Sequence, residues 1–115
     1  MATFYRVNIF MANNEDLHQA FAFADSTGVP VDLTAASLSM DIETAAENDA
    51  VEISTSNGRI VLLSPQQGQF EIQVPATVMR TIPPGVYRHD LLLTRDSRTQ
   101  RIWEGAITVS RGVTE

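Results

Sequence analysis

The sequence contains neither cysteine nor lysine. Without cysteine there is no disulfide framework, no thiolate metal site and no thiol nucleophile. Without lysine there is no Schiff-base amine and no cation of the usual phosphate-binding loop. Histidine occurs twice, at His18 and His89, and tryptophan once, at Trp103. No apolar run approaches the roughly 18 residues that a membrane span requires. The opening MATFYRVNIFMANNED lacks the apolar block of a cleavable signal. These absences predict a soluble protein made in the cytoplasm, with no membrane partner.

Charge is scarce in one sign. The formal net charge is −6, from 8 arginines and 14 acidic residues. Before Arg59 a single arginine, Arg6, stands against nine acids; from Arg59 onward seven arginines stand against five. An acidic chain repels phosphate, so nucleic acid is not an expected partner. The 115 residues suit one domain spanning 1–115, with enough buried surface for a core without staples.

What the chain does have is period-2 alternation cut by turn residues. Candidate strands run Phe4–Met11 and Leu17–Ala24, the latter with Leu17, Phe21 and Phe23 on one face and alanines on the other. In ASLSMDIE, Leu38, Met40 and Ile42 alternate with polar residues, as in an antiparallel sheet packed on one face. VEISTSNGRIVLL reads as a hairpin about Asn57-Gly58. FEIQV is another strand, and Val78, Met79 and Ile82 fit one short helical turn near 76–82, stopped by Pro83-Pro84. A last hairpin follows Pro84-Gly85. Its strands place Tyr87, Leu91 and Leu93 on one face and Trp103, Ile107 and Val109 on the other strand's matching face, with RDSRTQ at the tip. Gly105 weakens that strand unless a bulge or a close neighbour needs the space. The sum is an all-β protein: an antiparallel β-sandwich of seven or eight strands with one helical turn.

No constellation for chemistry emerges. Asp41, Glu43, Glu47, Asp49 and Glu52 lie close in sequence, but the calcium-loop spacing with its central glycine is missing. A solvated strand face and an acidic loop, TAAENDA, explain them. His89 alternates with Tyr87 and Leu91 and reads as a core or rim residue; His89-Asp90 is no dyad, since neighbours in a strand face opposite ways. There is no GxSxG elbow and no glycine-rich phosphate loop. The expectation is no enzyme, no catalytic residue, no cofactor and no metal. Arg88, Arg95, Arg98 and Arg101 gather around the last hairpin and could grip a partner's carboxylates. The first strand, through Tyr5, Val7 and Ile9, is a candidate edge for pairing with a neighbour.

Four stretches carry a family resemblance: D-x-x-G-x-P-V-D-L-T-x-A from Asp25, G-x-F-x-I-x-V-P from Gly68, P-x-G-x-Y-x-x-D-L-x-L-T from Pro83, and G-x-I-T-V from Gly105. Their order resembles small immunoglobulin-like domains of bacteriophage and prophage tail and baseplate proteins, and is similar to the N-terminal domain of baseplate upper proteins. The resemblance spans roughly residues 15–110 and rests on turn and strand motifs. It implies an immunoglobulin-like sandwich, a location in the virion, other virion structural proteins as partners and a homo-oligomer. It implies no active site. Because the chain stops at Glu115 with no shaft or receptor-binding head after it, an adaptor, collar or decoration role is expected over direct receptor binding. The other reading is a carbohydrate-binding module, which needs an exposed aromatic platform at Trp103 or Tyr87. A hydrolase assembled from the acidic loop and a histidine is the third.

Overall fold

The computed structural model describes residues 5–43 and 49–113. The acidic loop around Glu47 and the start of the first expected strand at Phe4 lie outside them. The strands are β1 (Tyr5–Arg6), β2 (Ile9–Ala12), β3 (Leu17–Ala22), β4 (Ser37–Glu43), β5 (Asp49–Ser54), β6 (Ile60–Ser64), β7 (Gln69–Val74), β8 (Gly85–Arg95) and β9 (Arg98–Ser110). A 3₁₀ turn (Pro65–Gln67) precedes β7, and α1 (Ala76–Met79) precedes β8. The larger sheet has the order β1-β9-β8-β4-β5, with β2 also on β9; the smaller has β3-β7-β6. Together they form the expected all-β, immunoglobulin-like sandwich, with the short helical turn where the apolar spacing placed it. No helix among the described residues is long and apolar enough to cross a membrane.

Alternation builds both layers. In β4 and β7 the apolar members, Leu38, Met40, Ile42, Phe70, Ile72 and Val74, are all buried, and their polar neighbours face outward. Each such side chain contributes about 1.5–3 kcal/mol on leaving water. Met79 and Ile82 plug the end of the sandwich beneath α1. The first helical amide, Ala76 N–H, is capped from sixty residues away by the Asp16 carboxylate, at 2.6 Å.

The Pro-Pro-Gly entry to β8 also has its cause. The Tyr87 ring is buried, and its hydroxyl donates to the Pro83 carbonyl at 2.6 Å. This is the tyrosine-corner arrangement of immunoglobulin-like sandwiches, which pins the crossing between sheets to the start of a strand.

Three features differ from the sequence reading. First, Asn57-Gly58 does not close a hairpin. β5 pairs with β4 and β6 with β7, so the chain turns there from one sheet to the other. The Asn57 side chain organises the turn: Oδ1 accepts from Ser54 and Arg59 amides, and Nδ2 donates to the Glu52 carbonyl. Turn chemistry reports reversal of the chain, and lateral pairing was settled by which core face each strand had to cover.

Second, the tip of the β8–β9 hairpin has two residues, not six. Asp96 and Ser97 both take left-handed backbone angles (φ 54° and 64°), as a type I′ turn demands. The Thr94 and Thr99 hydroxyls, 3.0 Å apart, extend the ladder almost to the turn. A bulge between Leu91 and Leu92 adds Ile102 to β9, so Ile102 and Trp103 are both buried.

Third, the first strand is broken and parallel. β1 and β2 both pair with β9 in parallel, the departure from an otherwise antiparallel sandwich. At the break, Val7 N–H donates to the Glu104 carbonyl, and the Asn8 side chain accepts from the Ala106 amide. The Val7 carbonyl then sits over Gly105: a Cβ there would lie 1.8 Å from the Val7 oxygen. The neighbour that Gly105 leaves room for is thus a backbone, not a bulky side chain.

Gly105→Ala should therefore force the first strand off β9. We expect a loss of about 1–3 kcal/mol or more, as for overpacking, read as a lowered urea midpoint. Tyr87→Phe should cost about 0.5–1.5 kcal/mol, the net worth of one hydrogen bond; an unchanged midpoint would show that the corner adds nothing.

A candidate docking flank

The committed first strand leaves one side of the sandwich open. Because β1 and β2 lie wholly on β9, β3 is left as an edge strand of the smaller sheet. Its register with β7 is regular from Leu17↔Val74 to Ala22↔Gln69. The Phe23 amide just beyond donates to the Gly68 carbonyl. Alternation in an antiparallel ladder then turns the peptide groups of His18, Ala20 and Ala22 toward the open edge.

Beside that edge lies an apolar groove of about 360 Å³. Phe21, Phe23 and Ala24 form one wall, Val7 the other, and Phe70, Ile102 and Trp103 the floor. Its aromatic members touch: ring centroids are 4.6 Å apart for Phe21–Trp103, 5.6 Å for Phe21–Phe70 and 5.8 Å for Phe70–Trp103. Such pairs hold one another in place by about 0.5–1.5 kcal/mol beyond their burial. Trp103 is 4% exposed and Tyr87 6%, so neither forms the aromatic platform that glycan stacking requires.

Behind the groove floor, His89 meets Trp103 edge-on, with centroids 6.4 Å apart. The structure buries His89, as its place in the alternation predicts. Its two ring nitrogens and Trp103 Nε1 are buried without a hydrogen-bond partner. Burial pushes the His89 pKa below 6.5; the Ala106 and Val7 backbone and the Asp90 carboxylate pull the other way without hydrogen-bond geometry. His18 lies apart, on the outward face of β3, with Nε2 2.7 Å from Glu71 Oε1. The two histidines therefore do not share a site. Among the described residues no three His, Cys, Asp or Glu side chains gather as metal ligands would.

The four arginines near the last hairpin do not form one patch. Arg101 pairs with Asp90 (3.4 Å) and Glu104 (3.2 Å) on the outward face of the larger sheet. Arg95 donates to the Asp32 carbonyl. Arg95 and Arg98 are opposite one another at the hairpin end and line an open hollow with Leu93 and Gln100. Arg88 lies seven residues from Arg95 along β8, about 23 Å away at strand spacing, with Glu43 as its register partner on β4. Exposed pairs of this kind contribute about 0–1 kcal/mol. Of the first-strand candidates, Tyr5 pairs through its backbone with Trp103, Ile9 is core, and Val7 lines the groove. The strand at Leu17–Ala24 and its faces were expected from sequence, but neither Phe21 nor the alanines beside it were singled out as a docking edge. Their signal was there in LHQAFAFA, eight residues with no formal charge.

No family model matches the chain, and no curated protein does. Among solved structures, a family 123 glycoside hydrolase from Clostridium perfringens, described for glycolipid glycan hydrolysis, is similar over 94% of this chain, with 11% identity and a TM-score of 0.32. The chain spans 23% of that protein. A likeness at that score carries no argument about activity.

The buried His89 should make stability depend on pH. Its folded pKa is lowered, so its contribution is complete above about 6.5 and is lost as pH falls below that value. Asp25, Asp32 and Glu71 have carboxyls held low by hydrogen bonds from Thr27, Thr34 and Gln73 respectively. Their contributions fade only below the ordinary carboxylate range near pH 4. Denaturation midpoints should drop between about pH 7 and pH 5, and His89→Leu should flatten that slope. A slope unchanged in the variant would mean that another group titrates there.

Proposed function

We propose that this chain is a structural component of a bacteriophage particle, a tail, baseplate, adaptor or decoration domain that works by docking other virion proteins. The observation that supports docking is the open flank: a regular, uncharged edge strand beside an apolar groove floored by a fixed aromatic cluster. Unpaired peptide groups at a strand edge supply affinity, and a pocket beside them supplies selectivity for alternate side chains of the added strand. The virion setting is supported by the family resemblance of the turn and strand motifs. On this reading the protein is made in the host cytoplasm and ends in the particle, with other virion structural proteins and further copies of itself as partners.

The test is proteomics of purified particles from a host expressing tagged wild-type or Ala20→Pro chain. Proline at an outward-facing edge position removes a peptide donor without disturbing the ladder to β7. Wild type should co-purify with particles, and the variant should do so at least tenfold less at equal expression and unchanged circular dichroism. Absence of the wild-type chain from particles would refute the virion role.

A further inference from the structure

We propose that two copies of this chain pair through β3, antiparallel about a two-fold axis at Ala20, merging two three-stranded sheets into one six-stranded sheet. The inference rests on the reading of the flank as a docking surface and names its occupant as a second copy.

Among the described residues the two sheets have four edges, formed by β5, the β1–β2 segments, β6 and β3. Edge strands invite pairing unless charge, proline, a bulge or a break prevents it. β5 carries Asp49 and Glu52. The β1–β2 edge is interrupted at Val7-Asn8 and carries Arg6. β6 has a register shift between Leu62 and Ser64. β3 has none of these devices.

Charge favours the same edge. Each copy carries −6, and a two-fold contact brings a surface against itself. Antiparallel pairing through β5 about Glu52 would set that carboxylate against its own copy, which is destabilising for like charges directly opposite. The β3 edge and the groove lining contain no formal charge. The histidine on that strand is already placed on the Glu71 carboxylate of β7. This flank lets two acidic molecules meet without opposing like charges.

The register of β3 also suits a two-fold pairing. The edge-facing residues are His18, Ala20 and Ala22, so an axis at Ala20 sets Ala20 against its own copy and His18 against Ala22. Each such pair exchanges two peptide hydrogen bonds. The small alanine side chains let the strands reach sheet spacing. Phe21, half-buried over the groove, would be covered by the approach of the second copy.

The absence of cysteine makes the test clean. Hydrogen-bonded residues opposite one another in antiparallel strands have Cα atoms about 5.5 Å apart, within disulfide range. Ala20→Cys should therefore form a disulfide dimer on mild oxidation, and Thr108→Cys, on the outward face of the larger sheet, should not. Wild type should sediment as a dimer at high micromolar concentration, with Ala20→Pro weakening the dimer at least tenfold while keeping its circular-dichroism spectrum. A monomeric wild type would overturn the proposal. So would a dimer cross-linked at Thr108 alone, which would place the contact at the exposed Phe10 and Val86 on either side of it. A monomeric wild type whose particle incorporation still falls with Ala20→Pro would refute the dimer and leave the flank as a site for a different protein.

Discussion

The approach of the Val7 carbonyl to Gly105 is the constraint from which the rest of this molecule is organised. A strand entering a sandwich can lie against either layer. Here the Val7 amide binds the Glu104 carbonyl, Asn8 takes over the Ala106 amide, and the glycine leaves room for the backbone between them. That fixes the first strand on β9 along both of its segments. The smaller sheet then stops at β3, and the aromatic cluster of Phe21, Phe70 and Trp103 is covered from one side only.

The same contact shapes the polar atoms behind the groove. His89 is the register partner of Gly105. With the Val7 backbone filling the place of a side chain, the imidazole is buried against Trp103, and three nitrogens are left without partners. Each such group costs about 1–3 kcal/mol. Elsewhere side chains supply partners to single backbone groups: Asp16 caps α1, and the Asn13 side chain donates to the Ile82 carbonyl and accepts from the Gly112 amide. Among the described residues, the buried side-chain nitrogens and oxygens without a hydrogen-bond partner all lie beneath the open flank.

Much of the fold was legible because burial on one face imposes period 2. The runs at Leu38–Ile42, Phe70–Val74 and Tyr87–Leu93 could be assigned to strands with their inward faces correctly chosen. Pro83-Pro84 marked the end of the helical turn, and Gly105 marked a place where space was needed. Pairing was not legible, because alternation says which side of a strand is apolar and nothing about its lateral neighbour. Hence Asn57-Gly58 suggested a hairpin, although its flanking strands belong to different sheets. The parallel course of β1 and β2 was hidden for the same reason. The flank was half-visible: LHQAFAFA lacks charge, but only the topology makes it an edge. The arginines misled by nearness in sequence, since strand geometry spreads them over a long distance and both faces.

The surplus residue in β9 has a consequence for the surface as well as for the core. On the trunk side of the bulge, odd-numbered residues of β9 point inward; on the tip side the phase reverses, and Gln100 and Arg98 take the inward parity. Arg101 is thereby swung outward to Asp90 and Glu104, while Ile102 is drawn beneath. In an uninterrupted ladder the same sequence would send a guanidinium into the sandwich beside Leu93 and an isoleucine into water. The length of this hairpin is accordingly not free to drift: gain or loss of one residue near position 102 would invert the charge pattern of the whole distal arm.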